Sequence, residues 1–95
     1  MSIITNLNKA FENRIRLGIM SVLMVNDDAD FKELRDLLEV TDGNLASHCK
    51  ALEKEDYISV KKSFIDRKPN TRYSITDLGR AAFKQHLTAL EKLLK

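Results

Sequence analysis

Residues 57–79 set the strongest constraint on what this chain can become. They read Tyr-Ile-Ser-Val-Lys-Lys-Ser-Phe-Ile, then Asp-Arg-Lys-Pro-Asn, then Thr-Arg-Tyr-Ser-Ile-Thr-Asp-Leu-Gly. Alternating, β-branched runs on either side of a turn-rich segment predict a two-stranded hairpin over residues 57–75. Lys61, Lys62, Arg67, Lys68 and Arg72 lie on it against one acid, Asp66, a local charge of +4. The whole chain carries only +2, so its other residues are net acidic. A hairpin of this kind buries little, and its charge suits a phosphate backbone. Pro69 is expected at the tip, where a missing N–H harms no ladder.

The remaining residues read as helices. Leu7, Ala10, Phe11, Ile15, Ile19, Val22 and Leu23 recur at helical spacing and predict a first helix over 7–25, with Asn6 as its candidate cap. After a polar break, Asp30 caps a second helix, with Glu33 placed to complete a capping box. Phe31, Leu34, Leu37 and Leu38 form its buried stripe. Residues 39–42 make a tight turn, and Thr41 or Asp42 caps a third helix ending near Lys54. Thr76 or Asp77 opens a final helix that runs to the C-terminus. The expectation is a single, mainly α domain over 1–95 with one small β-hairpin. Within it, residues 30–54 scan as a helix-turn-helix.

The third helix has two unlike faces. At about 100° per residue, Leu45, Cys49 and Leu52 fall within about 60° of one another and point inward. Ser47, Lys50, Ala51 and Lys54 point away, with Asn44 and His48 at the boundary. No acid lies on the outward face. Small residues let a helix sit deep in a groove, and Asn, Ser, His and Lys bond base edges or phosphates. A merely solvated face has similar composition, and a partly buried structural role is the other reading of His48. The basic hairpin that follows favours DNA.

Four segments resemble the winged helix-turn-helix transcription regulators of prokaryotes, in the MarR/ArsR-like superfamily, and especially its small stand-alone members. Asn13 to Met20 is similar to the first-helix segment N-x-x-R-x-x-I-L. Leu45 to Glu53 resembles the recognition-helix pattern L-S-x-H-L-x-x-L-E. Asp56-Tyr57-Ile58 resembles the lead-in to the wing, and Arg72 to Arg80 the R-x-Y-x-L-T-x-x-G-R run that leaves it. Cys49 replaces a usual Leu, and Asp56 stands where Gly is common. The resemblance covers nearly the whole chain. It implies a homodimer on pseudo-palindromic double-stranded operator DNA. Asn44, Ser47, His48, Lys50 and Ala51 would face the major groove, with Lys54 nearer the backbone. The wing, 57–75, would use Lys61, Lys62, Arg67, Lys68 and Arg72 on phosphates.

The final helix, 76–95, carries Phe83, Leu87, Leu90 and Leu94 as a heptad-like stripe. Ile3, Ile4 and Leu7 are apolar with no evident partner. Dimerisation through both termini would cover all seven. The rival from another class is a winged-helix module for protein–protein assembly with no DNA target. Such a module would more often expose an apolar third helix.

Other chemistry has little to stand on. His48 and Cys49 are adjacent, so they point in different directions, and no metal-ligand spacing accompanies them. The inward angle of Cys49 predicts an inert thiol. Three scattered glycines make no phosphate-cradling loop, and no nucleophile–base set is visible. Neither catalysis nor a metal or other cofactor is expected. No apolar run approaches the ~20 residues that span a bilayer, and a signal peptide is not apparent, so a cytoplasmic protein is expected. Operator and effector are not legible.

Overall fold

The computed structural model describes residues 3–95, and of Ile3 the backbone alone. Four helices and three strands follow in order: α1 (Arg14–Val25), β1 (Ala29–Asp30), α2 (Phe31–Leu38), α3 (Asp42–Lys54), β2 (Ile58–Ile65), β3 (Lys68–Ile75) and α4 (Asp77–Leu93). Two short 3-10 turns, Ile3–Asn6 and Lys9–Phe11, precede α1.

The expected helix over 7–25 is thus divided. Asn8 Oδ1 accepts from the Ala10 N–H at 2.9 Å, and Asn13 Oδ1 accepts from the Ile15 and Arg16 N–H groups at 2.9 and 3.1 Å. Each asparagine satisfies backbone donors that open a new helical segment, so each restarts the chain direction. Asn13, rather than Asn6, caps the long helix. Asp30 caps α2 as expected, and the two open alternatives resolve to Thr41 for α3 and Thr76 for α4. Among the described residues, Glu33 returns no bond to complete a capping box at Asp30.

The sheet has the order β1-β3-β2, all antiparallel. Two-residue β1 is an addition to the expected hairpin. Ala29 pairs with Tyr73 and Asp30 with Arg72, so β1 fastens the approach to α2 along the base of β3. The hairpin turns at Asp66-Arg67, both with positive φ (50° and 66°), between the closing pair Ile65 and Lys68. Two consecutive left-handed residues give the tight turn whose twist matches the strands. Pro69 is therefore not at the tip but in β3, opposite Phe64. It is one step beyond the closing pair, where an antiparallel ladder asks for no N–H toward the partner strand.

The core joins these elements. Ile19, Met20 and Leu23 of α1, Leu34 of α2, and Leu45, Cys49 and Leu52 of α3 are buried together with Ala29, Ile58 and Tyr73. Phe83 of α4 meets Phe11 edge-on at 5.2 Å, and Tyr57 lies 5.1 Å from the same ring. Asp56 stands between α3 and β2 at φ 59°, the left-handed conformation that its family counterpart Gly would adopt freely. At the other end of the hairpin, Thr76 Oγ1 donates to the Asp56 carbonyl at 2.6 Å and accepts from the Gly79 N–H at 2.9 Å. Gly79 packs so closely that a Cβ would collide with the Tyr57 carbonyl. The hairpin is clamped at its base by these contacts and projects freely at its apex.

Candidate nucleic-acid interface

Helix α3 is held by its buried side, which fixes its other side outward. Leu45, Cys49 and Leu52 are no more than 1% exposed, as the angular argument requires. Burial pushes the Cys49 thiol up to about 11, so it stays protonated at neutral pH. Asn44, Ser47, Lys50 and Lys54 are exposed, and Ala51 is half-buried. Gly43 and Ala46, also exposed, add to the same small-residue surface. Arg35 Nη1 bonds Asp42 Oδ1 at 3.0 Å, which tethers the start of α3 to the end of α2 and raises the already high Arg35 pKa.

His48 is placed differently from its polar neighbours. It is half-buried, and its Nδ1 accepts from Arg16 Nε–H of α1 at 3.0 Å. Burial, and then the Arg16 charge, hold its pKa below the usual imidazole range.

The five hairpin cations divide into three groups. Directly opposed residues share a face, so Lys61 and Arg72 lie on one side of the ladder. Lys62, one residue on, points to the other side, the one on which Ile58 and Tyr73 reach the core. Arg67 and Lys68 are exposed at the apex. Arg72 is engaged within its own chain. Its Nη2 bonds Asp28 Oδ1 at 2.6 Å, and its Nη1 lies 3.8 Å from Asp30 Oδ2. The hydrogen bond from Arg72 holds the Asp28 carboxyl below its ordinary value, with Lys61 adding to the pull. Arg72 thus fastens β3 to the α1–α2 connection, a pairing across 44 positions that no local pattern announces.

The apex also carries apolar groups that charge counting overlooks. Phe64 is 77% exposed and Ile65 52% exposed, on opposite faces of the ladder.

At the far end, the final-helix stripe is only partly available. Phe83 is 2% exposed and belongs to the core of its own chain, which removes it from the expected interface. Leu90 and Leu7 are half-buried. Leu87 and Leu94 are exposed, as are Ile4 and Leu93. The Ile3 side chain lies outside the described residues. The N-terminal 3-10 turn packs on α4, so it does have an intramolecular neighbour. His86 adds to that packing: it is 3% exposed, and its Nδ1 accepts from the Asn8 N–H at 2.9 Å. Burial holds its pKa down, against a smaller upward pull from Glu12.

Three helices, a short strand and a projecting hairpin in this arrangement define a winged helix-turn-helix. The profile of the winged helix DNA-binding domain family matches residues 15–94, and the chain belongs to that family. It is 36% identical over 87 residues to an uncharacterized protein of Methanocaldococcus jannaschii, covering 92% of this chain and 95% of that one. A transcriptional regulator homologue from Pyrococcus horikoshii superposes with a TM-score of 0.90 at 33% identity, covering 99% of this chain and 95% of that one. HlyU from Vibrio cholerae, at 23% identity and a TM-score of 0.69 over 86% and 85% of the two chains, shares the fold. Among the described residues, no helix is long and apolar enough to cross a membrane.

Proposed function

We propose that this protein is a transcription regulator that binds double-stranded DNA sequence-specifically as a homodimer. One observation carries the reading. The exposed Asn44, Ser47, Lys50 and Lys54 of α3 stand beside a hairpin whose Lys61, Lys62, Arg67 and Lys68 form no ion pair among the described residues. Helix α3 would enter the major groove, and the wing would contact the flanking backbone. Family membership and the likeness to the Pyrococcus regulator homologue support this.

The exposed Leu87 and Leu94, one heptad apart on α4 and its C-cap, with Leu93 and Ile4 nearby at that end of the molecule, are apolar groups that a two-fold partner would cover. Such a pair would present two α3 helices to half-sites about 34 Å apart. Selection of bound duplexes from a random pool tests the reading. A pseudo-palindrome with half-sites one helical turn apart is expected, and recovery of no preferred sequence overturns specific recognition. Sedimentation equilibrium tests the pairing. A mass near 10.9 kDa at micromolar concentration would overturn it, and Leu87→Glu with Leu94→Glu should produce that mass from the dimer.

The exposed Phe64 and Ile65 favour a second reading, in which the wing docks on another protein. It predicts weak, salt-insensitive retention on duplex DNA, the reverse of the first.

A further inference from the structure

Arg16 stands in the first turn of α1, on the Asn13 cap, and its guanidinium crosses to α3. Its Nε–H donates to His48 Nδ1 at 3.0 Å. A ring nitrogen that accepts a hydrogen bond bears a lone pair, so the single proton of the neutral imidazole must sit on Nε2. Protonating the ring would set Nδ1–H against Nε–H, two donors face to face. Arg16 is the charged group that faces the ring. The cleft beside Arg16 also holds Lys9, Lys54 and Glu55, none of which bonds His48.

His86 shows the same chemistry put to another use. Its Nδ1 also accepts, from the Asn8 N–H, but its ring is sealed against Phe11 and Phe83. His48 instead lies one turn from Asn44 and beside Ser47, at the edge of the outward face. Among the described residues nothing bonds its Nε2, and that atom is not sealed from solvent.

We propose that Arg16 is a positioning residue that locks His48 as the Nε2–H tautomer, so that α3 presents a fixed donor to a base-edge acceptor in the major groove. The inference rests on the DNA-binding reading above. An unlocked imidazole can present a donor or a lone pair and so accepts either kind of base edge. The locked ring can donate only to guanine O6 or N7, adenine N7 or thymine O4. It rejects cytosine at that strand position, because cytosine offers only its amino donor there. Arg16 would thereby shape sequence preference without touching the base.

Nitrogen-15 NMR of the two histidines tests the lock without DNA. In the wild-type protein both rings should show the Nε2–H pattern, with His86 as internal standard. In Arg16→Leu, His48 alone should move toward a tautomer mixture, and its titration midpoint should rise. An unchanged His86 signal reports that the variant is folded. With selected duplexes, the wild type should discriminate against cytosine at one position of each half-site by about tenfold or more, and Arg16→Leu should lose that discrimination. Arg16→Lys, which keeps a donor and the charge, should restore part of it. Should Arg16→Leu fail to fold, adding the selected duplex to the wild type must shift the His48 Nε2 signal and leave its Nδ1 unprotonated. A charged or Nδ1–H His48 at neutral pH overturns the inference. So does an Arg16→Leu protein whose affinity falls equally for all duplexes. If the wild type binds no duplex at low salt, the DNA-binding reading fails instead.

Discussion

Helix α3 and the hairpin both present polar and basic groups, yet the molecule holds them in different ways. The outward face of α3 is fixed from behind, by three side chains that are almost fully buried. Its position and the core are one problem. The hairpin is fixed along its lower half, where Ile58 and Tyr73 enter the core, Thr76 ties off the Asp56 carbonyl, and β1 and Asp28 hold β3 at Arg72. Above that point it reaches an apex where Phe64, Ile65, Arg67 and Lys68 are all exposed. The contrast teaches that position and chemistry are coupled in α3 and separable in the wing. A binding surface coupled to the core tolerates change on one side only. A surface on a free ladder can change on both.

The largest expected effect is on stability. Leu52→Ala should cost about 2–5 kcal/mol, since it opens a cavity at the centre of the core. Phe64→Ala should cost less than about 0.5 kcal/mol, because it removes an exposed ring. Denaturant titrations of the two proteins check this. Similar losses would break the contrast.

Mild acid, between about pH 7.5 and 5.5, should act through the helical side. The hairpin has no histidine, whereas His86 binds the Asn8 backbone through a lone pair. Burial depresses the folded-state pKa of His86, and that of His48 moves the same way. Below the unfolded value, about 6.5, the unfolded chain therefore binds more protons than the folded one. Stability should be fully present above that pH and decline as the pH falls through it. A denaturation midpoint unchanged between about pH 7.5 and 5.5 would show that neither ring is held neutral.

Ser47→Ala should alter base preference by about 1–3 kcal/mol at one position if Ser47 makes a good contact, and leave folding stability almost unchanged. The double variant Arg67→Ala, Lys68→Ala should do the reverse in kind. It should weaken binding to every duplex alike and lower the log–log salt slope by roughly 2, about 0.9 for each lost phosphate contact. Equilibrium binding across a salt series, on selected and scrambled duplexes, separates the two outcomes.

How far the sequence discloses these two regions follows the same divide. The inward angle of Leu45, Cys49 and Leu52 is a local periodicity, and local periodicity survives folding. The caps at Asp30, Thr41 and Thr76 are equally local. The division of the first helix was hidden because Asn8 and Asn13 interrupt hydrogen bonding without interrupting the apolar spacing. Non-local partners were also hidden. Nothing near Arg72 reveals that Asp28 will neutralise it, nothing near His48 reveals Arg16, and the stripe that includes Phe83 cannot say whether its partner is Phe11 or a second chain. The hairpin turn is hidden because Asp-Arg lacks the glycine that usually marks two left-handed residues, while Pro69 nearby is a strong turn former.

That turn supplies the smallest and sharpest test. Arg67 holds φ 66° at the second turn position, where glycine is the favoured residue. A side chain in that conformation costs roughly 1–2 kcal/mol, which Arg67→Gly would relieve. Glycine also frees the unfolded chain, an opposing cost of roughly 0.5–1 kcal/mol. The net gain in stability should therefore be small, about 0.5 kcal/mol or somewhat more. The same substitution removes an exposed cation from the apex, so the salt slope should fall by roughly 0.9 and affinity should drop for all duplexes. Tighter folding with weaker binding, from one substitution, is the outcome expected where position and chemistry are separable. If Arg67→Gly instead leaves the salt slope unchanged, the apex does not meet the DNA backbone. In that case Arg67 keeps a strained turn for some purpose other than charge.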